Sequence, residues 1–215
     1  MSPRPYRLGQ RQVLAGETRS KILDAARAQL ETEASFSIDA VARRADVARM
    51  TVYYQFGSKR GLLEGLFDSL AARGGLRGLP SAFQQADPRA ALDGLIDVFA
   101  RFWSSDRLVL RRLRAMAALD PELDEVLRER NEGRRQGLRV ILSRLDAHRD
   151  ARSKATSDLV DVLFALTSFE NFDVLAGPER TPVQVAPLVK RAAAAIVGAG
   201  GRPIRPSSVP RARGR

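Results

Sequence analysis

Residues 49–59 bring together cationic, aromatic and hydroxyl side chains that could bind a DNA duplex. An arginine can donate two hydrogen bonds to a guanine edge, a glutamine can reach adenine or a phosphate, and hydroxyl groups can donate to phosphate oxygens. Methionine and tyrosine can contact the methyl group of thymine. A lysine beside the free amides of a helix start favours an anion. The candidate contacts, with one serine upstream, are Ser37, Arg49, Met50, Thr51, Tyr53, Tyr54, Gln55 and Lys59.

The elements that would position these side chains are helices. Apolar residues recur at three- and four-residue steps along almost the whole chain, so the pattern predicts an all-α protein. Thr18, Ser37 and Ser58 each precede such a pattern and are suited to cap a helix. The predicted N-terminal helices are Thr18 to about Glu33, Ile38–Ala45, Arg49–Phe56 and a connector that begins at Lys59 and reaches Leu70.

The second and third helices have the spacing of a helix-turn-helix, whose second helix enters the major groove. Ala42 is small where the two helices must approach each other, and Asp46 occupies the turn, where aspartate tolerates a left-handed backbone. Val52 and Phe56 would then anchor the third helix inward. The alternative for one of its two tyrosines is partial packing into the core.

The rest of the chain predicts a larger helical body. Its helical stretches lie near Pro88–Trp103, Arg107–Leu119, Pro121–His148, Arg152–Leu175 and Pro182–Val197. The expected organisation is a flexible arm over residues 1–17, a three-helix DNA-binding domain over 18–65, a helical domain over 66–200 and a basic disordered tail over 201–215.

The last two helices predict a homodimer. The final helix has a clean apolar stripe, and its partner is apolar over so wide an arc that it must pack on more than one side. One face would meet the protein's own core and another a second copy, although a fully internal core helix remains the alternative. The predicted interface residues are Leu159, Leu163, Leu166, Val185, Leu188, Val189, Ala192 and Ile196.

Positive charge is concentrated at the two ends of the chain. Residues 1–60 hold 11 Lys and Arg against 6 Asp and Glu, and residues 201–215 hold 5 against none, whereas residues 61–200 are nearly balanced. This distribution is typical of a protein whose N-terminal domain meets a polyanion. The chain has no cysteine, no apolar run long enough to span a bilayer and no signal-peptide pattern, so we expect a cytoplasmic protein without membrane contact.

The sequence gives little support for catalysis. The single histidine, His148, has no nearby serine or cysteine nucleophile, and no pairs at metal-ligand spacing occur. The acidic residues Asp120, Glu122, Asp124 and Glu125 surround Pro121, where carboxylates stabilise a helix start. We therefore expect no enzymatic activity, no metal and no cofactor.

Two stretches carry a family resemblance: RSKILDAARAQL, at residues 19–30, and FSIDAVARRADVARMTVYYQFGSKRGLLEGL, at residues 36–66. Together they resemble the N-terminal module of tetracycline-repressor (TetR) family regulators of bacteria. The resemblance implies that Thr51, Tyr53 and Lys59 contact phosphates and that Arg49, Met50 and Tyr54 lie nearest the bases. The chain departs from the family where Asp46 replaces a glycine, Ala48 a capping serine and Gln55 a histidine, which leaves the operator sequence open.

The resemblance also implies a body that binds a small effector and dimerises through its last two helices. Polar candidates for orienting an effector are Arg114, Glu170 and Asn171, each inside an apolar stretch. The pocket candidates, most of which could instead simply fill the core, are Phe99, Phe102, Trp103, Leu110, Met116, Phe164, Phe169, Asn171 and Phe172.

The sequence thus predicts a dimeric repressor that binds a palindromic double-stranded DNA operator and is released by a small-molecule effector. The rival hypothesis is a helical small-molecule binding or scaffold protein whose basic ends contact nucleic acid only nonspecifically.

Overall fold

The structure, a computed structural model, describes residues 6–33, 35–145 and 154–199. Every regular element within these ranges is helical, so the predicted all-α fold class is confirmed. The predicted tail and His148 lie outside the described residues. The helices are α1 (Tyr6–Thr32), α2 (Ile38–Arg44), α3 (Arg49–Phe56), α4 (Lys59–Arg73), a 3₁₀ turn (Leu76–Gly78), α5 (Leu79–Phe83), α6 (Pro88–Ser105), α7 (Arg107–Ala117), α8 (Pro121–Leu145), α9 (Lys154–Leu166), α10 (Phe169–Ala176) and α11 (Pro182–Ala199).

Helix α1 begins earlier than its apolar pattern predicts. The sequence predicts a start at Thr18, but the helix extends back to Tyr6, so residues 6–17 of the predicted arm are helical. Thr18 does not cap the helix, because its hydroxyl donates to the carbonyl of Leu14 within it, at 2.9 Å. Val13 and Leu14 are exposed. Residues 13–17 are exposed, so the apolar periodicity that predicts the later part of the helix gives no signal over them.

The turn between α2 and α3 follows the predicted chemistry. Ser37 caps α2 by accepting a hydrogen bond from the backbone N–H of Ala40. Asp46 has a φ of 51°, the left-handed conformation that the sequence predicts for it. The N–H of Val47 donates to the carbonyl of Ala42 at 3.0 Å, which closes the turn.

Helix α4 belongs to both halves of the molecule. Ser58 caps it as predicted, by accepting from the N–H of Gly61. Leu62, Leu66 and Leu70 are buried in the core shared with α1, and α4 also packs against α6 and α8 of the body. The ring of Phe67 meets that of Phe102 edge-on, with centroids 5.9 Å apart. Helices α1–α3 are therefore joined to the body through a continuous apolar core rather than a loose linker.

Helix α6 is the centre of the body. It packs against α4, α5, α8, α10 and α11, and its aromatic residues Phe99, Phe102 and Trp103 are buried. The indole N–H of Trp103 donates to the carbonyl of Thr167 at 3.1 Å, so the one polar atom of that ring has a partner.

The prediction of a single helix from Arg152 to Leu175 is wrong, because the helix is interrupted at Thr167 and Ser168, which separate α9 from α10. The hydroxyl of Thr167 donates to the carbonyl of Leu163 at 2.8 Å, and Ser168 caps α10 by accepting from the N–H of Asn171. Such side-chain bonds compete with helix continuation. Apolar residues continue on both sides of the break, so periodicity alone does not reveal it.

Across residues 6–33, 35–145 and 154–199, no helix combines the length and apolar character needed to cross a membrane.

The packing of α3 against α4 depends on Gly61. A Cβ atom at this position would lie 2.1 Å from the carbonyl oxygen of Phe56, whereas one at Gly133 of α8 would meet nothing within 4 Å. We expect Gly61→Ala to lower the free energy of unfolding by about 1–3 kcal/mol through overpacking. Gly133→Ala, the matched control, should raise it by about 0.5–1 kcal/mol. Urea unfolding of both variants measures this, and equal stabilisation would show that α3 shifts freely on α4.

Candidate DNA-binding surface and ligand cavity

Helix α3 has one anchored face and one free face. Val52 is buried, and Tyr53 is half-buried against the same core, which answers the open question about the tyrosines. Met50 and Tyr54 point outward, with exposed fractions of 72% and 88%. Large apolar groups exposed in this way leave contact surface free for a partner.

Arg49 lies at the start of α3 and is held against α2. Its guanidinium pairs with Asp39 at 3.2 Å, donates to the hydroxyl of Tyr53 at 3.2 Å and lies 5.5 Å from the centre of that ring. The hydrogen bond to Tyr53 and the charge of Asp39 raise the pKa of Arg49. Arg49 and Tyr53 therefore hold each other in position at the start of α3.

The end of α3 is fixed by a residue that the sequence reasoning missed. Arg19 of α1 donates to the carbonyl of Gln55 at 2.7 Å and covers the ring of Phe56 at 4.1 Å. A cation at this end complements the negative end of the helix dipole. Nothing in the sequence pattern singles out Arg19, since it occupies an exposed position of α1. Thr51 and Gln55 are half-buried beside the free face, and Ser37 is exposed at the start of α2.

A row of ion pairs joins the start of α4 to α8, and we call it the α4–α8 seam. Lys59 pairs with Asp120, and Arg60 pairs with Glu125 and with Glu129, the latter at 2.9 Å. Lys59, one of the predicted phosphate contacts, is thus bound to a carboxylate of the body. Further along, Arg130 of α8 pairs with Asp68 of α4 at 2.7 Å.

Asp120 has two roles at the seam. One carboxylate oxygen accepts from the N–H groups of Glu122 and Leu123 at 3.2 and 3.3 Å, which caps α8 as expected for this acidic cluster. The other binds Lys59, and that hydrogen bond is the largest of the causes that lower the pKa of Asp120. A lowered carboxyl pKa means that the pair stabilises the fold at neutral pH and loses its contribution as the pH falls through the folded-state value.

A cavity of about 280 Å³ lies between α4, the 3₁₀ turn, α5, α6 and α8. Its volume is close to the lower end of the range for small-molecule sites, roughly 300–1,000 Å³. A wider groove of about 390 Å³ beside α5 is lined by Asp93, Asp97 and Arg101 among others and has the character of a solvated surface. The lining of the smaller cavity is Phe67, Asp68, Ala71, Leu76, Leu79, Phe99, Phe102, Trp103, Arg130, Asn131, Gly133 and Arg134.

Three of the predicted pocket residues line this cavity, namely Phe99, Phe102 and Trp103. The others lie elsewhere in the body. Leu110, Phe169 and Phe172 are buried in the core, and Met116 packs against it. The side-chain amide of Asn171 donates to the carbonyl of Leu166 at 2.7 Å and closes the end of α9.

Arg114 and Glu170, the other polar candidates, pair with each other at 2.5 Å outside the cavity lining, and the guanidinium of Arg114 lies 5.4 Å from the ring centre of Trp103. The predicted residue Phe164 packs against the core outside the cavity lining, and the guanidinium groups of Arg134 and Arg135 lie 4.3 and 4.2 Å from its ring centre. The sequence reasoning missed Arg134, although it occupies the apolar stripe of α8 between Leu127 and Leu138.

The outward faces of α9 and α11 differ from the set predicted for dimer contacts. Leu159, Leu163, Val185 and Val189 are buried within the protomer, where they are unavailable to a second copy. Leu166, Ala192 and Ile196 are half-buried. Leu188 is the exposed member of the predicted set, and the neighbouring outward residues are Val162, Ala165, Arg191 and Ala195.

Residues 22–66 match the family model for bacterial regulatory proteins of the tetR family. No curated protein matches the chain in sequence. Solved structures resemble it over most of its length. A TetR transcription regulator from Haloarcula marismortui is 18% identical, with 86% of this chain and 98% of that chain covered and a TM-score of 0.63.

Two further structures have the same fold. A transcriptional regulator from Rhodococcus is 20% identical, with 84% of this chain and 94% of that chain covered and a TM-score of 0.59. The regulator FadR from Bacillus subtilis, solved in complex with stearoyl-CoA, is 18% identical, with 81% and 96% covered and a TM-score of 0.59. Residues 22–66, which we call the head, therefore match the tetR family of bacterial regulatory proteins, and the chain as a whole has the same fold as these solved transcriptional regulators.

Proposed function

We propose that the chain is a sequence-specific repressor that binds a roughly palindromic operator as a homodimer and is released by a small-molecule effector. The observation that carries the proposal is the free face of α3. Met50 and Tyr54 project into solvent beside Arg49, while Val52 and Arg19 hold the helix in place. A rigid helix with exposed side chains that match base edges is suited to direct readout of the major groove.

Dimerisation would place two α3 helices in successive major grooves, about one turn of DNA apart. The outward faces of α9 and α11 support this proposal, because they expose Val162 and Leu188 beside Ala165, Arg191 and Ala195. Two copies of this helix pair would form a four-helix interface in which each surface meets itself.

The coupling between effector and DNA would run through α4. This helix begins at Lys59 beside α3, and its residues Phe67, Asp68 and Ala71 line the cavity. A ligand held between α4 and α8 would favour one spacing of the two helices and thereby one separation of the two heads. The α4–α8 seam would rearrange at the same time, because its ion pairs join these two helices.

Selection of bound fragments from random duplex DNA at physiological salt tests the proposal. We expect a palindromic motif for the wild-type chain. Arg49→Ala should weaken binding to that motif by roughly 5- to 150-fold and relax the preference at one base pair of each half-site. Arg128→Ala, on the exposed side of α8, is the control. Binding that falls steeply with salt on every sequence, with no enriched motif, would favour the nonspecific binder instead.

Asp120→Asn should strengthen DNA binding, because it frees Lys59 for a phosphate. One added phosphate contact makes the slope of log affinity against log salt steeper by about 0.9. Asp124→Asn is the matched control, since Asp124 lies one turn away and pairs with Arg128. Fluorescence anisotropy of a labelled operator over a salt series measures both variants. An unchanged slope in Asp120→Asn would show that Lys59 does not transfer to DNA.

Leu188→Glu should separate the two protomers, because it places a charge in the centre of the proposed interface. Operator affinity should fall with it, since a single head contacts only one half-site. Val174→Glu is the control, because Val174 is 80% exposed on α10, outside the α9 and α11 faces. Sedimentation velocity reports the oligomeric state, and an unchanged sedimentation coefficient for Leu188→Glu would contradict this interface.

A further inference from the structure

Arg134 is a buried cation at the wall of the ligand cavity. Its exposed fraction is 4%, and it lies on α8 with the cavity on one side. One guanidinium nitrogen donates to the carbonyl of Thr167 at 2.6 Å, while the Nε atom is buried without a hydrogen-bond partner. Burial lowers the pKa of Arg134 to about 9, and the neighbouring cation Arg114 acts in the same direction. The side chain still carries its charge at neutral pH.

Within the described part of the chain, no carboxylate forms an ion pair with this guanidinium. Glu170 is near enough to favour the charged form of Arg134, but its carboxylate forms its ion pair with Arg114. Asp106, the other charged side chain that is buried among the described residues, differs in having Arg27 at 3.3 Å and Arg73 at 3.9 Å. A buried charge normally has a partner of opposite sign, because the cost of removing it from water is otherwise uncompensated.

The surroundings of Arg134 are aromatic. Its guanidinium carbon lies 4.3 Å from the ring centre of Phe164, 5.5 Å from that of Phe99 and 5.7 Å from that of Trp103. These rings hold the planar group by cation–π contact and leave its edge as the polar feature. The other polar side chains of the cavity lining are Asn131 and the ion pair of Asp68 with Arg130, and the remaining members are apolar or glycine.

We propose that the effector is a small amphipathic monoanion whose carboxylate pairs with Arg134 while its apolar body lies against Phe67, Phe99 and Phe102. One unpaired guanidinium matches one negative charge, and its planar fork fits the two oxygens of a carboxylate. At Arg130, the other cation of the lining, Asp68 already supplies the counter-charge. The role of this anion as an effector rests on the proposed function, whereas its binding at Arg134 does not.

Matched pairs of probes test the charge directly. Calorimetric titration of the full chain would compare 2-naphthoate with 2-naphthamide and octanoate with octanamide, since each amide keeps the shape and lacks the charge. We expect each carboxylate to bind at least ten-fold tighter than its amide. Equal affinities within both pairs, or no binding by any of the four probes, would overturn the assignment.

Variants assign the preference to the residue. Arg134→Gln should abolish the difference between carboxylate and amide, and Arg139→Gln, an exposed arginine of the same helix, should leave it unchanged. Thermal unfolding separates a binding role from a structural one. Without ligand, Arg134→Gln should unfold at no lower temperature than the wild type, because it removes an uncompensated buried charge. A lower unfolding temperature, or a carboxylate preference that survives the change, would contradict the proposal.

Operator binding, followed by anisotropy without and with 2-naphthoate, keeps the two hypotheses apart. Loss of operator affinity with the carboxylate, but not with the amide, supports the anion as effector. Anion binding that leaves operator affinity unchanged overturns the effector role but still supports an anion site at Arg134. Specific operator binding without any carboxylate preference overturns this inference alone, and anion binding without a specific operator overturns the proposed function alone.

Discussion

The burial of α4 on two sides is the constraint on which the arrangement of the molecule depends. Leu62, Leu66 and Leu70 are removed from water by the helices of the head, and Phe67 by the aromatic cluster of α6. Because protein interiors are close-packed, α4 cannot change its position against one half without repacking against the other. The position of α4 in turn fixes the orientation of α3, because Phe56 packs against the first turn of α4.

Polar interactions at the edges of this core have different purposes. The α4–α8 seam is partly exposed, and such pairs contribute little net stability, so their value lies in fixing the register of two helices. Two charged side chains are buried in the described part of the chain, and their surroundings differ. Asp106 is compensated by arginines, whereas Arg134 has a single carbonyl and three aromatic rings. Residues that break the usual rules of burial are concentrated at functional sites, and Arg134 lines the cavity.

Local chemistry explains which elements could be predicted from the sequence. Ser37, Ser58 and Asp46 have roles decided by their immediate neighbours, and α3 has the predicted bounds, Arg49–Phe56. The additional turns of α1 and the break between α9 and α10 could not be predicted, because the first lacks an apolar stripe and the second interrupts one that continues. The pocket residues were predicted by size and hydrophobicity, which select core and cavity alike. Of that set, Phe99, Phe102 and Trp103 line the cavity. The position of Arg134 beside them depends on tertiary packing, which apolar periodicity does not reveal.

The ion pairs of the head bear on how quickly this protein would find DNA. Residues 1–60 carry a clear cationic excess by count, yet many of these cations are already matched by carboxylates within the fold. Such pairs are Lys21 with Asp46, Arg27 with Glu31, Arg44 with Glu33, Arg49 with Asp39, Lys59 with Asp120 and Arg60 with Glu125. A paired charge contributes little to the field beyond a Debye length, about 8 Å at physiological ionic strength. Asp46, Glu31, Glu33 and Asp39 are already part of that count, so the pairs that lower the field below it are those of Lys59 and Arg60 with carboxylates of the body. Recognition at these two cations would depend on exchange of partners after contact.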